Sequence, residues 1–317
     1  MKEYAPCLIS VYNRVFHFKR CIGSLAECLG ASSTPLFIAI DAPYRKEDIA
    51  ANEAIIEYAQ AVRGFKSINI IRRATNVGAL NNIRMAREEI FRTYDKIIFS
   101  EDDNIFAPCF LEFVNDGLSF YESDPTIFSI CGYSYPLDFS KCSKDDAFAL
   151  RAFSSWGVGY WKEKFEKIDY QCGGFLGSHY NLLKVVELNK AVGPHIFASL
   201  VVSKLKNEIY GDTAITYHLY ENDMFSIFPR ISLVRNMGND GSGLHSGVCS
   251  IYERQEIDTR EYVSPYLDST RENRCARLLV NHHFRLKPMA SLFYYLIYCF
   301  LSLRAQVTRN GKKNTNV

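Results

Sequence analysis

The segment IIFSEDDN, Ile97 to Asn104, decides the fold. It opens as a short apolar run, the pattern of a strand buried on both faces. It ends abruptly in three adjacent carboxylates, Glu101, Asp102 and Asp103. Working outward, the run extends back as DKIIFS and is preceded by a helical stretch from Gly78 to Phe91. Before that stand the apolar run SINIIRR, a helical stretch from Glu47 to Val62, and the run PLFIAID, entered through Pro35 and closed by Asp41. The series begins with APCLISVY and a stretch with apolar groups at helical spacing from Phe16 to Leu29. Strands that alternate with helices predict an α/β fold, a mostly parallel sheet flanked by helices. Ligands of such sheets bind outside the carboxyl ends of the strands. That rule singles out Asn13 and Arg14, Asp41, Asn76, and the triplet Glu101, Asp102 and Asp103. No GxGxxG follows any of these strands, which weighs against a dinucleotide-binding domain.

Adjacent carboxylates at the end of a buried strand repel one another and resist desolvation, so they need a compensating cation or open solvent. A hard divalent ion, Mn²⁺ or Mg²⁺, takes one or two carboxylates plus substrate phosphates. The alternative is a solvated acidic loop.

The rest of the chain sets bounds. Its 317 residues suit one large α/β domain, or one domain with a helical extension. A net charge of +2 gives no argument for nucleic acid. Ten cysteines without a CxxC pair make a zinc site unexpected, and thiols without a signal-peptide pattern imply a cytoplasmic address. The second half is less regular: an aromatic segment, RAFSSWGVGYWKEKF, then helical stretches near Asn181–Lys190, Phe197–Lys206 and Asp212–Tyr220, the short strand MFSIFP, and the glycine-rich loop NMGNDGSGLHSG from Asn236 to Gly247. MASLFYYLIYCFLSL, Met289 to Leu303, is strongly apolar and flanked by basic residues. It is shorter than the roughly 20 residues that span a bilayer. Two readings stay open for it, a helix packed on the domain and an interfacial helix on an anionic membrane surface.

In order along the chain, ISVYNR, FIAIDAP, the N-V-G-x-x-x-N spacing at Asn76 to Asn82, FSEDDNIFAPCFLEF, SSWGVGYWKEKF and NMGNDGSGLHSG resemble the GT-A class of glycosyltransferases. The likeness is to bacterial family 2-like transferases and to the N-acetylglucosaminyltransferase I group. Glu101-Asp102-Asp103 resembles the acidic DxD signature of the class. The resemblance implies a GT-A domain over 1–252, with a nucleotide-binding half over 1–104 and a sugar and acceptor half over 105–252, followed by a C-terminal helical extension over 253–317. It implies a nucleotide-diphosphate sugar donor, UDP before others, and a glycan or lipid-linked glycan as acceptor.

Residue by residue, the resemblance implies that Arg14, Asp41 and Asn76 bind the donor nucleotide, with Asp41 accepting from a uracil N–H. Asp103 would hold the metal, Asp102 the ribose or a metal-bound water, and Glu101 the transferred sugar. Trp156, Gly157 and Trp161 would wall the sugar site, Ser242 and His245 would reach the diphosphate from a closing loop, and Asp212 would be the general base of an inverting reaction. Plain structural roles compete: a turn or helix cap for Asp41, a helix N-cap for Asp212, and core packing for both tryptophans. Glu221 and Asp223 are the alternative bases. Two other functions are carried beside this one, a nucleotidyltransferase that makes nucleotide sugars and an inactive carbohydrate-binding module. VYNRVFHFKR lacks the glycine-rich basic loop expected of the first. The intact acidic triplet argues against the second.

Overall fold

The computed structural model describes residues 3–176, 182–241 and 250–314, with 306–314 described by backbone alone. In chain order the strands are β1 (Cys7–Val11), β2 (Pro35–Ile40), β3 (Ser67–Arg72), β4 (Lys96–Glu101), β5 (Asn104–Phe106), β6 (Ile127–Cys131), β7 (Ala147–Leu150), β8 (Val158–Trp161), β9 (Phe225–Pro229) and β10 (Val234–Asn236). The helices are α1 (Val15–Ala26), α2 (Ile49–Ala61), α3 (Ala79–Ile90), α4 (Phe110–Phe120), α5 (Lys162–Phe165), α6 (Leu182–Val192), α7 (Pro194–Lys206), α8 (Gly211–Glu221), α9 (Ser250–Glu253), α10 (Arg274–His283) and α11 (Pro288–Asn314).

Eight strands form one sheet in the order β3-β2-β1-β4-β8-β6-β9-β7, and β10 pairs with β5 in a separate ribbon. The strands β3, β2, β1 and β4 run parallel, and β8 is inserted antiparallel between β4 and β6. This is the mostly parallel α/β sheet expected from the alternation. β1 and β2 are buried along almost their whole length, which explains why CLISV and PLFIAI read as continuous apolar runs and not as alternating ones. β3, at the edge, is half-exposed. The register aligns Val11 with Ile40, Ile40 with Arg72, and Ser10 with Glu101, so the carboxyl ends of the four strands are level.

The strands β6 and β8 were not legible as strands in the aromatic middle of the chain. Every residue of both is buried, so neither shows a two-residue period. Gly159 lets α4 close on β8: a Cβ there would sit 2.5 Å from Val114 Cγ1 and 2.9 Å from Leu118 Cδ1.

The chain divides into two compact units. The first holds 1–149, 154–166 and 226–271; the second holds 150–153, 167–225 and 272–317. The division differs from the boundary expected at residue 252. The C-terminal helices are not an appendage, because Tyr298 of α11 is buried in one core with Phe175, Val185, Leu188, Phe197, Leu200, Val201 and Tyr217. α11 is also longer than its apolar run, 27 residues against the expected 289–303. Its window Pro288–Ala305 is long and apolar enough to cross a membrane by length and composition. Seven cysteines are free thiols among the described residues. Cys142 and Cys275 are each in a disulfide.

Candidate active site

The site is built where β1, β2 and β4 end. Tyr12, Asn13 and Arg14 leave β1 and turn into α1, with Arg14 as the residue before the first helical turn. Arg14 does not point outward to a ligand. Its Nη2 pairs with Asp102 Oδ1 and its Nη1 with Asp103 Oδ2, at 2.8 Å for the latter. Asp102 and Asp103 are 4% and 5% exposed, so this is a buried acidic pair closed by one guanidinium. Burial pushes the Asp102 carboxyl up to about 6 against the pull of Arg14. Burial also opposes the charge on Arg14, but Asp102 and Asp103 outweigh it and hold the guanidinium more firmly protonated than usual.

Asp103 is engaged on both oxygens. Asn236 Nδ2 donates to Oδ1 at 2.8 Å, and the Met237 amide donates to the Asp103 carbonyl at 2.8 Å. β10 brings Asn236 there by pairing it with Asn104. A Cβ added to Gly238 would collide with the Asp103 carboxylate, so the start of the glycine-rich segment lies against the acid because it has no side chain. His17 Nε2 bridges Met237 O and Asp240 Oδ2, both at 3.2 Å.

This bears on the metal assignment. Asp103 is the expected direct ligand, and here each of its carboxylate oxygens already has a partner, Arg14 on Oδ2 and Asn236 on Oδ1. The cation that the acidic pair requires is Arg14. A divalent ion at Asp103 Oδ2 would compete with Arg14 for that oxygen.

Asp41 has a similarly full set of partners. Oδ1 accepts from the amides of Ala42 and Val77 at 3.0 Å each, and Oδ2 accepts from the Gly78 amide at 2.9 Å and Asn76 Nδ2 at 3.2 Å. Four donors fill the usual acceptor positions of a carboxylate, so the expected hydrogen bond from a uracil N–H finds no open position here. Asp41 instead pins the loop after β3 to the end of β2. Asn76 also donates to Ala42 O at 2.7 Å. Asn82, at the far end of the N-V-G-x-x-x-N spacing, donates to Ser10 Oγ and Ala39 O and accepts from Arg73 Nε. That motif is a staple across β1, β2 and the start of α3.

Sequence reasoning missed Asp48. Tyr12 Oη donates to its Oδ2 at 2.7 Å and Asn13 Nδ2 to its Oδ1 at 2.8 Å, which fixes the direction in which the chain leaves β1. The available signal was the polar triad Tyr12-Asn13-Arg14 directly after an apolar run; its partner, 35 residues away from Asn13, carried none. The hydrogen bonds from Asn13 and then Tyr12 lower the Asp48 carboxyl to about 2. Unfolded, an aspartate titrates near 3.9. The ionised form therefore stabilises the fold above about pH 4, and that contribution disappears as pH falls through about 2. Asn13→Ala is expected to raise both the Asp48 pKa, followed by carboxyl NMR, and the midpoint of acid unfolding, followed by circular dichroism. An unchanged pKa would remove Asn13 as the cause.

The remaining expected residues are scattered in role. Glu101 ends β4 with Ser155 Oγ 3.4 Å from its Oε1. Trp156 is half-buried in an aromatic group with Tyr133 at 4.8 Å and Tyr252 at 5.3 Å between ring centroids, each edge-on. Gly157, beside it, has a φ of +72°. Trp161 is not a wall of a sugar site: it lies in β8, 4% exposed, with Lys164 Nζ 3.9 Å over its ring. Ser242 and His245 lie outside the described residues.

In the second unit, Asp212 is exposed in the first turn of α8, where an acid suits the helix dipole. The N-cap is Tyr210, so the capping role considered for Asp212 does not apply. Of the alternative bases, Glu221 accepts from Tyr217 Oη at 2.8 Å and Asp223 pairs with Arg151 at 2.5 Å.

No protein-family model matches the chain, and no curated protein matches it in sequence. Among solved structures it is similar to the mannosyltransferase PcManGT from Pyrobaculum calidifontis, described in complex with GDP-Man and Mn²⁺, at 10% identity over 97% of this chain and 88% of that one, with a TM-score of 0.43. It is similar to GalNAc-T7, described with UDP, GalNAc and Mn²⁺, at 11% identity over 74% and 44%, with a TM-score of 0.44. It is also similar to S. aureus TarS 1-349 at 12% identity over 53% and 50%, with a TM-score of 0.37. The chain thus spans about half or less of the last two. At these values no residue role passes from any of them to this chain.

Proposed function

We propose that the chain is a GT-A glycosyltransferase that moves a sugar from a nucleotide-diphosphate donor, a UDP-sugar first, onto a glycan hydroxyl. One observation carries the proposal: the level carboxyl ends of β2, β1 and β4 bring Asp41, Tyr12 to Arg14, and Glu101 to Asp103 into one edge, the place where parallel sheets hold nucleotides. On this reading Asp41 and Asp48 act by holding the two loops that shape the nucleotide site. Arg14 holds Asp102 and Asp103 together at the edge where a diphosphate would lie. The solved structures described above add support of fold alone.

The reaction is proposed as inverting, with hexose or N-acetylhexosamine as the transferred sugar. An acceptor hydroxyl needs one carboxylate to take its proton, and Asp212 is our candidate. The acceptor is proposed to be a lipid-linked glycan of bacterial surface polysaccharide assembly, used on the cytoplasmic side. A divalent ion enters through the assay, because Arg14 offsets only one of the two acidic charges and already pairs with both.

The test is a panel of UDP- and GDP-sugars followed by mass spectrometry, with Mn²⁺ and with chelator. Sugar transfer or donor hydrolysis supports the reading. Exchange with pyrophosphate would replace it by nucleotidyl transfer, and sugar binding without any nucleotide would replace it by a binding module. Asp212→Asn is expected to leave donor affinity near normal while transfer falls about 10²–10⁴-fold, the range for a lost general base. Full residual transfer would move the base to another carboxylate.

A further inference from the structure

The last helix carries two apolar faces, and one has no protein partner among the described residues. Met289, Leu292, Phe293, Leu296, Phe300 and Leu303 are 76%, 51%, 58%, 58%, 55% and 47% exposed. At 3.6 residues per turn these six positions fall within an arc of about 100°, a continuous stripe three to four turns long. The opposite side is committed elsewhere. Tyr298 and Ser302 are buried, and Tyr294, Ile297 and Leu301 pack against the core built from α6, α7 and α8.

The charge around the stripe is one-sided. From Asn273 to Val317 the chain contains eight Lys and Arg and not one Asp or Glu. Arg285 and Lys287 are exposed just before the helix, and Arg304 is exposed beside Phe300, 5.7 Å from its ring. Arg309, Lys312 and Lys313 follow in the sequence. An apolar stripe whose own helix and flanking sequence carry cations and no acids matches the two layers of an anionic bilayer surface, acyl chains below and lipid phosphates above.

We propose that this stripe docks the second unit on an anionic membrane surface, with α11 lying in the interface plane. A spanning orientation does not suit it. Lipid would then surround the whole helix, which would strip Tyr298, Ile297 and Leu301 from their core. The docking is independent of the proposed chemistry, since it rests on α11 and its neighbours alone.

The experiment is sedimentation of the full chain with vesicles of phosphatidylcholine, with and without phosphatidylglycerol, at low and high salt. The chain is expected to bind the anionic vesicles, to leave them at high salt, and to be extracted by alkaline carbonate. Leu296→Glu with Phe300→Glu should weaken binding about tenfold or more. The milder pair Leu296→Ser and Phe300→Ser should weaken it less, and circular dichroism should show both variants folded. Absence of binding, equal binding to neutral vesicles, or binding unchanged in folded variants overturns the proposal. Resistance to carbonate would replace it by a spanning helix. A dimer that dissociates in the Glu variant, with no vesicle binding by either protein, would assign the stripe to a second copy of the chain. No donor or acceptor enters the assay, so its outcome leaves the glycosyltransferase reading untouched.

Discussion

Arg14→Met is expected to lower the unfolding free energy by about 3 kcal/mol and, in the same variant, to raise the affinity for Mn²⁺. Methionine keeps much of the apolar stem and removes the guanidinium. Asp102 and Asp103 then remain together, 4% and 5% exposed, with no cation between them. Removing one partner from a buried ion pair costs roughly 3–5 kcal/mol, because the charge left behind keeps its desolvation penalty. The Arg14 side chain is 20% exposed, so some water reaches the pair and the low end of that range applies. Two freed carboxylates are also hard oxygen ligands, so Mn²⁺ should bind the variant more tightly than the parent and restore part of its stability. Urea unfolding with and without Mn²⁺, together with calorimetric titration, reads both effects. A loss under about 1 kcal/mol, or parent and variant with equal Mn²⁺ affinity, would show that Arg14 is not what neutralises the pair.

Asp41→Ala is the second large effect, again about 3 kcal/mol, with donor binding lost alongside. The carboxylate accepts from three backbone amides, Ala42, Val77 and Gly78, and from the Asn76 side chain. Leaving a buried donor without a partner costs about 1–3 kcal/mol, but Val77 and Gly78 are only half-buried and reach water once released. The distinguishing measurement is amide hydrogen exchange. If Asp41 holds the loop, exchange at Val77 and Gly78 accelerates in the variant and donor affinity falls because the loop is no longer shaped. If donor affinity falls while exchange stays as in the parent, Asp41 contacts the nucleotide directly and the loop-holding role is wrong.

These two residues show what was legible in the sequence and what was not. The first four strands and their helices were readable because short apolar runs and helical spacing are local signals: PLFIAID became Pro35–Ile40, and Phe16–Leu29 became Val15–Ala26. The positions of Arg14, Asp41 and Glu101 to Asp103 at strand ends followed from the same signals. Their partners did not. Arg14 meets acids 88 and 89 positions ahead, and the amides on Asp41 come largely from a loop 36 and 37 positions away. A lone Asp or Arg after a strand looks the same whether it will face a ligand or a loop. Trp161 was misread for a related reason. An aromatic residue shortly after two glycines fits a sugar platform as well as a fully buried antiparallel strand, and only the pairing of Lys96 with Trp161 distinguishes them.

The interleaving of the two units constrains how the polypeptide can mature during synthesis. The first unit needs β9, which lies between β6 and β7 in the sheet, and β10, which seats Asn236 on Asp103, so it closes only when residues 226–271 have emerged. The second waits longer, because Tyr298 fills a core whose other members begin at Cys172 and Phe175, well over a hundred residues earlier. At about 5–20 residues per second, Phe175 and Phe197 stay without Tyr298 for several seconds after leaving the ribosome. A nascent chain halted near residue 252 therefore presents an apolar core without its α11 side, lacking Tyr298, to solvent, a natural target for chaperones and for aggregation.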